Sequence, residues 1–353
     1  MTLILNNEEV RAAIQVEDCL QSMEEAYREL SMSHAVNRPT SHIYTAHSLP
    51  HASYSFKSVE GAVEKLGVLA LRITSDISKE EKVHNSVRLE KLPLAGKGQF
   101  VGLVQLFSIE TGELLAIMPD GLIQQFRVGI TSAIAAKVLC RKDSTVLGMI
   151  GSGGQAKAHL HLLTSVLPIK KVKVYSPTPD RRDSFAANME KEIGISIESV
   201  KSVEECIKNS DLICTATNSS RPIITGSLLS PGVHLNAIRE FEVDESVFEK
   251  SDITVIHTRY GGIHHYLPPG LKEDLPGIRR EKARDWNRYP EIGDLLTGKA
   301  KQRTNKSQIT FFLNNIGTGV QFAVMGYRVY KQAIEKGLGR EIPTDWFLQN
   351  IKP

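Results

Sequence analysis

A parallel α/β domain set inside an α+β domain is the fold this sequence predicts, on three observations. Short apolar runs alternate with helix-period stretches across the middle of the chain, as a parallel sheet with crossover helices requires. Longer strand-like runs separated by turn residues fill the first third, the mark of an antiparallel sheet. A long apolar-striped segment near the C-terminus then reads as a helix returning to that first part. With 353 residues the chain is long enough for two domains with cores of their own.

Bulk composition excludes several classes of function. Lys and Arg number 43 against 40 Asp and Glu, a net charge of +3 that marks neither a nucleic-acid footprint nor a membrane-binding patch. No apolar run approaches the length of a membrane span, and Met1-Thr-Leu-Ile-Leu5 is too short for a secretory signal. Cys19, Cys140, Cys206 and Cys214 are scattered without metal spacing, so they read as buried thiols in a reducing cytoplasm. His42, His47 and His51 share a loop and His264-His265 form a pair. None has a metal-site spacing with a carboxylate, and no metal is expected.

The elements follow in order. Asp18–Leu30 has helical apolar periodicity. Tyr54–Phe56, Val68–Ile73, Phe100–Phe107 and Leu114–Met118 read as strands, with Glu110-Thr-Gly112 as a turn. Phe126–Leu139 is helical, and the strand–helix alternation begins after Lys142-Asp143. Leu212–Ala216, His234–Ile238 and Ile253–Ile256 read as its later strands, with Ser202–Lys208 as a crossover helix. Arg259–Lys306 is irregular, and Gly317–Lys336 is the closing helix, ended by Gly337 and Gly339. The expected division is 1–125 plus 312–353 for the α+β part and 126–311 for the inserted part. A ligand is expected in the crevice at the carboxyl ends of the parallel strands.

The most informative stretch is the apolar run Ser144–Ile150 followed by Gly151-Ser-Gly-Gly-Gln-Ala156. This strand, glycine turn and helix is the Rossmann dinucleotide-binding pattern: Gly151 permits a tight turn, Gly153 lets a pyrophosphate approach, and Ala156 packs the helix close. Helix Ala156–Val166 and strand Lys171–Tyr175 complete the βαβ unit. Ser152, Gly154 and Gln155 share the turn, whose free N–H groups suit phosphate.

The cofactor's second phosphate is read from the end of the next strand, Tyr175-Ser-Pro-Thr-Pro-Asp-Arg-Arg182. NAD enzymes usually place an acid there for the ribose hydroxyl, and this chain has none. Ser176 and Thr178 can donate to a phosphate, while Arg181 and Arg182 can pair with its charge, so NADP(H) is favoured over NAD(H). Two arginines on a solvated helix face are the alternative, and Asp180 reads as the cap of the next helix.

Several segments together resemble the ornithine cyclodeaminase/μ-crystallin family. They are Gly102–Ala116, Arg127-Val-Gly-Ile-Thr-Ser-Ala-Ile-Ala-Ala136, Ile150–Ala156 with its Gln155, Ala216-Thr-Asn-Ser-Ser220, Pro231–Ala237, Glu291–Gly298 and Gln308–Phe312. The resemblance implies an NAD(P)-dependent oxidoreductase acting at an α-carbon bearing nitrogen. It also implies a homodimer built through the α+β domain, which becomes the substrate-binding and dimerisation domain. Ala216, Thr217, Asn236 and Ala237 fall in loops that face the cofactor in that family.

A substrate carboxylate needs fixed positive charge, for which arginine is suited. Arg127 occupies the family's carboxylate-binding position, or alternatively only pairs within its helix start. Arg38 fits the earlier substrate arginine. Arg72 stands where the family has a lysine, and an arginine cannot serve as a base. Lys57, on the preceding strand, is a second candidate for that lost amine, with an exposed hairpin lysine as its alternative. Asn315 and Gln321 lie in the segment the family brings toward the nicotinamide. Gly317 and Gly319 there either let backbone approach the ring or allow close helix packing.

The catalytic aspartate of true ornithine cyclodeaminases is missing. Counting without gaps puts Phe241 at its place, whereas aligning Glu242-Val-Asp244 with the family's Glu-Leu-Asp shortens the loop. Glu240 or Arg239 remain as substitutes. The sequence thus points to reduction of a small α-imino acid by hydride transfer, or oxidation of the matching amino acid. Ornithine cyclodeamination to proline and ammonia, or cofactor binding without turnover, are the alternatives.

Overall fold

The computed structural model describes residues 1–83, 86–92, 99–219, 221–259, 263–268 and 284–351, with backbone alone for those among 80–89. They form two compact units. One comprises residues 1–124, 260–284 and 317–353, and the other 125–259 and 285–316. The insertion therefore closes after Ile316 rather than at 311, and the stretch after Arg259 belongs with the first unit.

The first unit opens with β1 (Thr2–Ile4), α1 (Asn7–Ala13) and α2 (Val16–Ser31), then β2 (Ala35–Asn37), β3 (Ser41–Ala46), β4 (Ala52–Val63), β5 (Val68–Val83), β6 (Ser86–Leu92), β7 (Val101–Ser108) and β8 (Leu114–Pro119). The short run Tyr54–Phe56 is only the start of the 12-residue β4. Its Lys57, Ser58 and Glu60 hide it from an apolar search, because polar side chains occupy both of its faces. β3, β4, β5, β7 and β8 pair antiparallel in that order.

Helix α3 (Gly121–Leu139) begins five residues before the expected Phe126. It is apolar on nearly all sides and largely buried, as a helix without a polar face must be. The second unit then alternates β9 (Val146–Ile150), α4 (Gly154–Val166), β10 (Lys171–Tyr175), α5 (Pro179–Ile193), β11 (Ser196–Ser199), α6 (Val203–Ile207), β12 (Leu212–Thr215), β13 (His234–Ala237), α7 (Glu245–Lys250) and β14 (Ile253–Ile256). In α5 Thr178, not Asp180, is the cap residue. Asp180 sits in the first turn, where it favours the positive end of the helix dipole.

After β14 the chain gives β15 (His264–Tyr266) to the first sheet, parallel to β3, which takes this segment out of the inserted unit. α8 (Ile292–Leu296) and β16 (Thr310–Leu313) follow, and β16 lies between β13 and β14. The seven strands run β11-β10-β9-β12-β13-β16-β14, all parallel. The order reverses between β9 and β12, the switch point where such sheets bind ligands. Finally α9 (Gly319–Glu335) returns to the first sheet and β17 (Arg340–Ile342) pairs with β1.

The start of α9 resolves the two readings of Gly319. A side chain at Gly319 would collide with the backbone of Glu60 and Gly61, and one at Gly61 with that of Gly319 and Val320. These two glycines let helix and strand meet backbone to backbone, and Asn37 Oδ1 accepts from Val320 N at 2.8 Å beside them. Gln321 closes the first turn, accepting from Thr318 N at 3.1 Å and donating to Tyr27 Oη at 3.0 Å.

Candidate active site

In the inserted unit the site is built at the switch point. β9 delivers the chain to Gly151, whose φ of +124° only glycine adopts comfortably, and whose missing side chain faces the Ala216 carbonyl after β12. Gly153 is the cap residue of α4, and no side chain caps that helix. A Cβ at Gly153 would meet nothing within 4 Å, so bare backbone borders open space at the helix start. Beyond it Gln125 packs against Gly154, and Ala156 is fully buried. This cradle fits a pyrophosphate on the N–H groups of α4.

The end of β10 separates the two arginines that the sequence pairs. Arg182 is buried, donating to the Ser176 carbonyl at 3.2 Å and to Ser199 Oγ at 2.8 Å. It fastens the β10 loop to the end of β11, because its long stem reaches back along α5. Arg181 and Thr178 are exposed. Ser152 Oγ lies 3.0 Å from Ser176 Oγ, which ties the glycine turn to the β10 loop.

The loops after β12 and β13 are organised by Glu242, which in the sequence serves only to set the register of the loop. Its buried carboxylate accepts from Thr215 Oγ1 (2.9 Å), Thr217 N and Oγ1 (both 2.7 Å), Ile238 N (3.2 Å) and Arg239 N (3.1 Å). Burial raises its pKa, opposed by the Thr217 and Thr215 hydrogen bonds. Glu242 is therefore a structural anchor. It commits the hydroxyl proton of Thr217, while Glu240 lies half-buried in the same turn. Asn236 is likewise turned inward, bonded to His234 Nε2 and to the Ser132 carbonyl, so only its backbone borders the β13 loop.

Arg127 is buried in α3, one turn from Thr131, whose hydroxyl donates to the Arg127 carbonyl at 2.8 Å. Its charge acts on two buried imidazoles. His159 is held near pKa 4 and His257 near 3, first by burial and further by Arg127. His159 Nδ1 lies 2.7 Å from the Gln155 carbonyl and Nε2 3.1 Å from Ser132 Oγ; His257 Nδ1 lies 2.6 Å from the Ile316 carbonyl. Both rings stay neutral beside the fixed charge of Arg127. Asn315 is spent locally, exchanging two hydrogen bonds with the Thr258 backbone.

In the sheet unit the face beneath α9 changes character along the strands. Val59, Val63, Val68, Ala70, Val104 and Leu106 make it apolar under the helix. The next rows carry Arg72, Lys57, Thr74, Asp76, Ser55 and Ser78, and all but Arg72 and Lys57 of these are buried. Arg72 Nε donates to Asp120 Oδ2 at 2.7 Å, and its guanidinium lies over the Phe322 ring at 5.2 Å. Asp120, just before α3, has room only because residue 102 is glycine. Lys57 is not an exposed hairpin lysine. Its side chain is 20% exposed, 3.4 Å from Asp76 Oδ2, and burial lowers its pKa to about 8 against the opposing pull of Asp76.

Arg38 is not brought to this group. It pairs with Glu60, to which it is joined across the sheet, and strand alternation puts both on the face opposite Lys57. His42 lies opposite Lys57 in the β3–β4 register instead, with its Nδ1 3.0 Å from Tyr44 Oη and its ring against His265. Ser220 and residues 260–262 and 269, parts of the segments matched or singled out in the sequence, lie outside the described residues.

The model of the ornithine cyclodeaminase/mu-crystallin family matches residues 1–337. The chain belongs to this family. Among family relatives, a Delta(1)-pyrroline-2-carboxylate reductase of Bacillus cereus is 28% identical over 254 residues, covering 70% of this chain and 75% of the relative. An alanine dehydrogenase of Archaeoglobus fulgidus is 26% identical, over 97% of this chain and 98% of its own. The solved Delta(1)-pyrroline-2-carboxylate reductase of Thermococcus litoralis, in complex with NADH and L-proline, superposes with a TM-score of 0.78 at 25% identity, covering 97% of this chain and all of that one (100%). An archaeal alanine dehydrogenase dimer with bound NAD gives 0.76 at 25% identity, over 97% and 99% of the two chains.

The sequence does not give the roles of three carboxylates of this family member: Asp76, Asp120 and Glu242. Asp120 carried a signal, since Pro119-Asp-Gly121 before a helix is a capping pattern, but its ion pair with Arg72 is not local. Asp76 sits in a run with Ser75 and Ser78 that reads as a polar strand end.

Proposed function

We propose that this chain is an NADP(H)-dependent reductase of small α-imino acids, running in reverse as an amino-acid dehydrogenase. The observation that carries the reading is Arg127, a buried permanent cation flanked by imidazoles kept neutral, in the same unit as the bare N-terminus of α4. A carboxylate-bearing substrate suits that charge, and a dinucleotide suits that helix. Arg72, held flat between Asp120 and Phe322, supplies a second fixed cation in the sheet unit. When bound, the nicotinamide supplies the hydride. The residues of the cradle hold its pyrophosphate, with Gly151 and Gly153 giving backbone access and Ser152 and Ser176 closing the β10 side.

Preference for NADP(H) rests on this chain's own residues, since the two solved relatives hold NADH and NAD. No carboxylate ends β10, whereas Thr178 and Arg181 stand exposed beyond it and can meet a ribose phosphate. Cyclodeamination is disfavoured. Its ammonia expulsion needs a positioned base, and the buried acid of the loop after β13, Glu242, is consumed by five hydrogen bonds.

A homodimer formed through the sheet unit suits the free face of that sheet, which exposes Val36, Ile43 and Val101. The archaeal relative is described as a dimer. Four buried free thiols suit a reducing, cytoplasmic setting.

The test is consumption of NADPH, with NADH alongside, on pyrroline-2-carboxylate and on α-keto acids with ammonia or methylamine. Turnover that prefers NADPH and disappears in Arg127→Ala is expected. Ammonia released from ornithine would establish the cyclodeaminase instead, and tight NADPH binding with no turnover a binding protein.

A further inference from the structure

Two polar atoms on the α9 face of β5 are buried without a hydrogen-bond partner among the described residues: Thr74 Oγ1 and Asp76 Oδ1. Buried polar atoms are nearly always paired, so two neighbours left open on one strand face call for an explanation. They are two residues apart on one strand and therefore side by side on the same face. Thr74 is directly opposite Lys57 in the β4–β5 register. The other oxygen of Asp76 is shared by two amines, Lys91 Nζ at 2.8 Å and Lys57 Nζ at 3.4 Å. Lys91 takes the shorter bond, so Lys57 is held loosely, with ammonium protons to spare.

A ligand that completes this group must donate a proton to Asp76 Oδ1 and accept one from Lys57. A carboxylate fails the first requirement, because it would set oxygen against oxygen. A nitrogen that arrives as an imine and leaves as an amine meets both. Resting on the imine-reductase reading, we propose that Lys57, Thr74 and Asp76 form the subsite for the substrate nitrogen, with Lys57 as the proton donor to the C=N bond. The Lys57 ammonium gives its proton to the imine nitrogen. With the cofactor bound, hydride addition at the carbon would complete the amine and leave Lys57 neutral until solvent reprotonates it.

The charge of the trio supports this assignment. Lys57, Lys91 and Asp76 sum to one positive charge, and moving a proton from Lys57 to the imine leaves the total of trio and imine unchanged, with the iminium beside the buried carboxylate. Asp76 therefore stabilises the cation on either side of the transfer. The depressed affinity of Lys57 for its proton, near pKa 8, makes it a better donor than a solvent-exposed lysine. The charged and titratable groups facing Lys57 are Arg72 and Asp76 on β5, Lys91 on β6, His42 on β3, and Asp120 through Arg72.

The experiment has two readouts. In the first, the pH profile of kcat/KM for pyrroline-2-carboxylate reduction is compared between the wild type and Lys57→Met. The wild type should lose rate above about pH 8, and the variant should fall by about a hundredfold with that alkaline limb gone. In the second, L-proline and cyclopentanecarboxylate, which lacks the nitrogen, are titrated calorimetrically in the presence of NADP. The wild type should prefer proline about tenfold, and Asp76→Asn should bring the two ligands together. Unchanged melting temperature and NADPH binding confirm that both variants fold. Lys57→Met with the wild-type rate, an alkaline limb that survives the substitution, or Asp76→Asn with an undiminished preference for proline overturns the subsite alone. A wild type that consumes no NADPH with any imine overturns the reductase reading and the subsite with it.

Discussion

Asp120 occupies the space that a side chain on Gly102 would fill, and from there it fixes Arg72 through a 2.7 Å hydrogen bond to Nε. Gly102→Ala would drive a methyl group into the carboxylate, so Asp120 must turn away and Arg72 loses its partner. A charge-assisted bond of this kind is worth about 1.5–3 kcal/mol. We expect KM for the imino acid to rise about tenfold with a smaller change in kcat, read by steady-state kinetics. An unchanged KM would mean that Arg72 needs no support from Asp120.

Arg181 and Arg182 are neighbours with opposite duties. Arg181→Ala should raise KM for NADPH about tenfold and leave that for NADH unaltered, because only the exposed guanidinium is available to a ribose phosphate. Arg182→Ala should instead cost about 1–3 kcal/mol of stability, since it removes the donor to the Ser176 carbonyl and unties α5 from Ser199. Steady-state kinetics with both cofactors and a urea melt separate the two outcomes. Equal effects on NADPH and NADH in Arg181→Ala would remove the case for NADP.

Gly151 cannot be replaced quietly. Alanine there must adopt a φ of +124° and meet the Ala216 carbonyl. Gly151→Ala should lower stability by about 1–3 kcal/mol and abolish NADPH binding, followed by thermal melting and by the cofactor's fluorescence. Gly153→Ala is the contrast: its Cβ meets no protein atom, so the fold should survive while the cofactor's affinity falls.

Stability should depend on acid through three buried histidines. His159 is held near pKa 4, and His234 and His257 near 3, chiefly by burial, against 6.5 for the unperturbed ring. Between those values the unfolded chain binds protons that the folded chain refuses, so stability rises with pH there. It is fully present above about pH 6.5 and declines as the pH falls toward 4. Each histidine contributes a slope of about 1.4 kcal/mol per pH unit. Melting temperatures across this range should show a shallower decline in His159→Gln than in the wild type. A parallel decline would mean that His159 is charged in the folded protein.

How much of this was legible beforehand depended on the distance over which each signal acts. The glycine turn and the strands of the inserted unit were readable because apolar run, turn and helix are contiguous, and a strand buried on both faces has no polar residues to confuse it. β4 and β5 were readable only at Tyr54–Phe56 and Val68–Ile73, because Lys57, Thr74 and Asp76 break the apolar pattern of the face beyond α9. Arg38 illustrates the other failure. One residue of register turns a side chain to the opposite face, and no local pattern fixes register in a loop containing Pro39. The partners of Arg72 and Arg182 lie on other elements, so the sequence could name these arginines without saying what each one holds.

The pairing of β1 with β17 bears on how the molecule is made. Every residue of the inserted unit precedes Gly317, so that unit has all of its chain available as synthesis proceeds, while the sheet that begins with Thr2 still lacks α9 and β17. Its α9 face, where Val104 and Leu106 await their cover, stays uncovered until the last stretch emerges. The nascent chain therefore holds a finished nucleotide-binding body beside an unfinished one. Truncation ahead of α9 should yield a protein that retains the first and aggregates through the second.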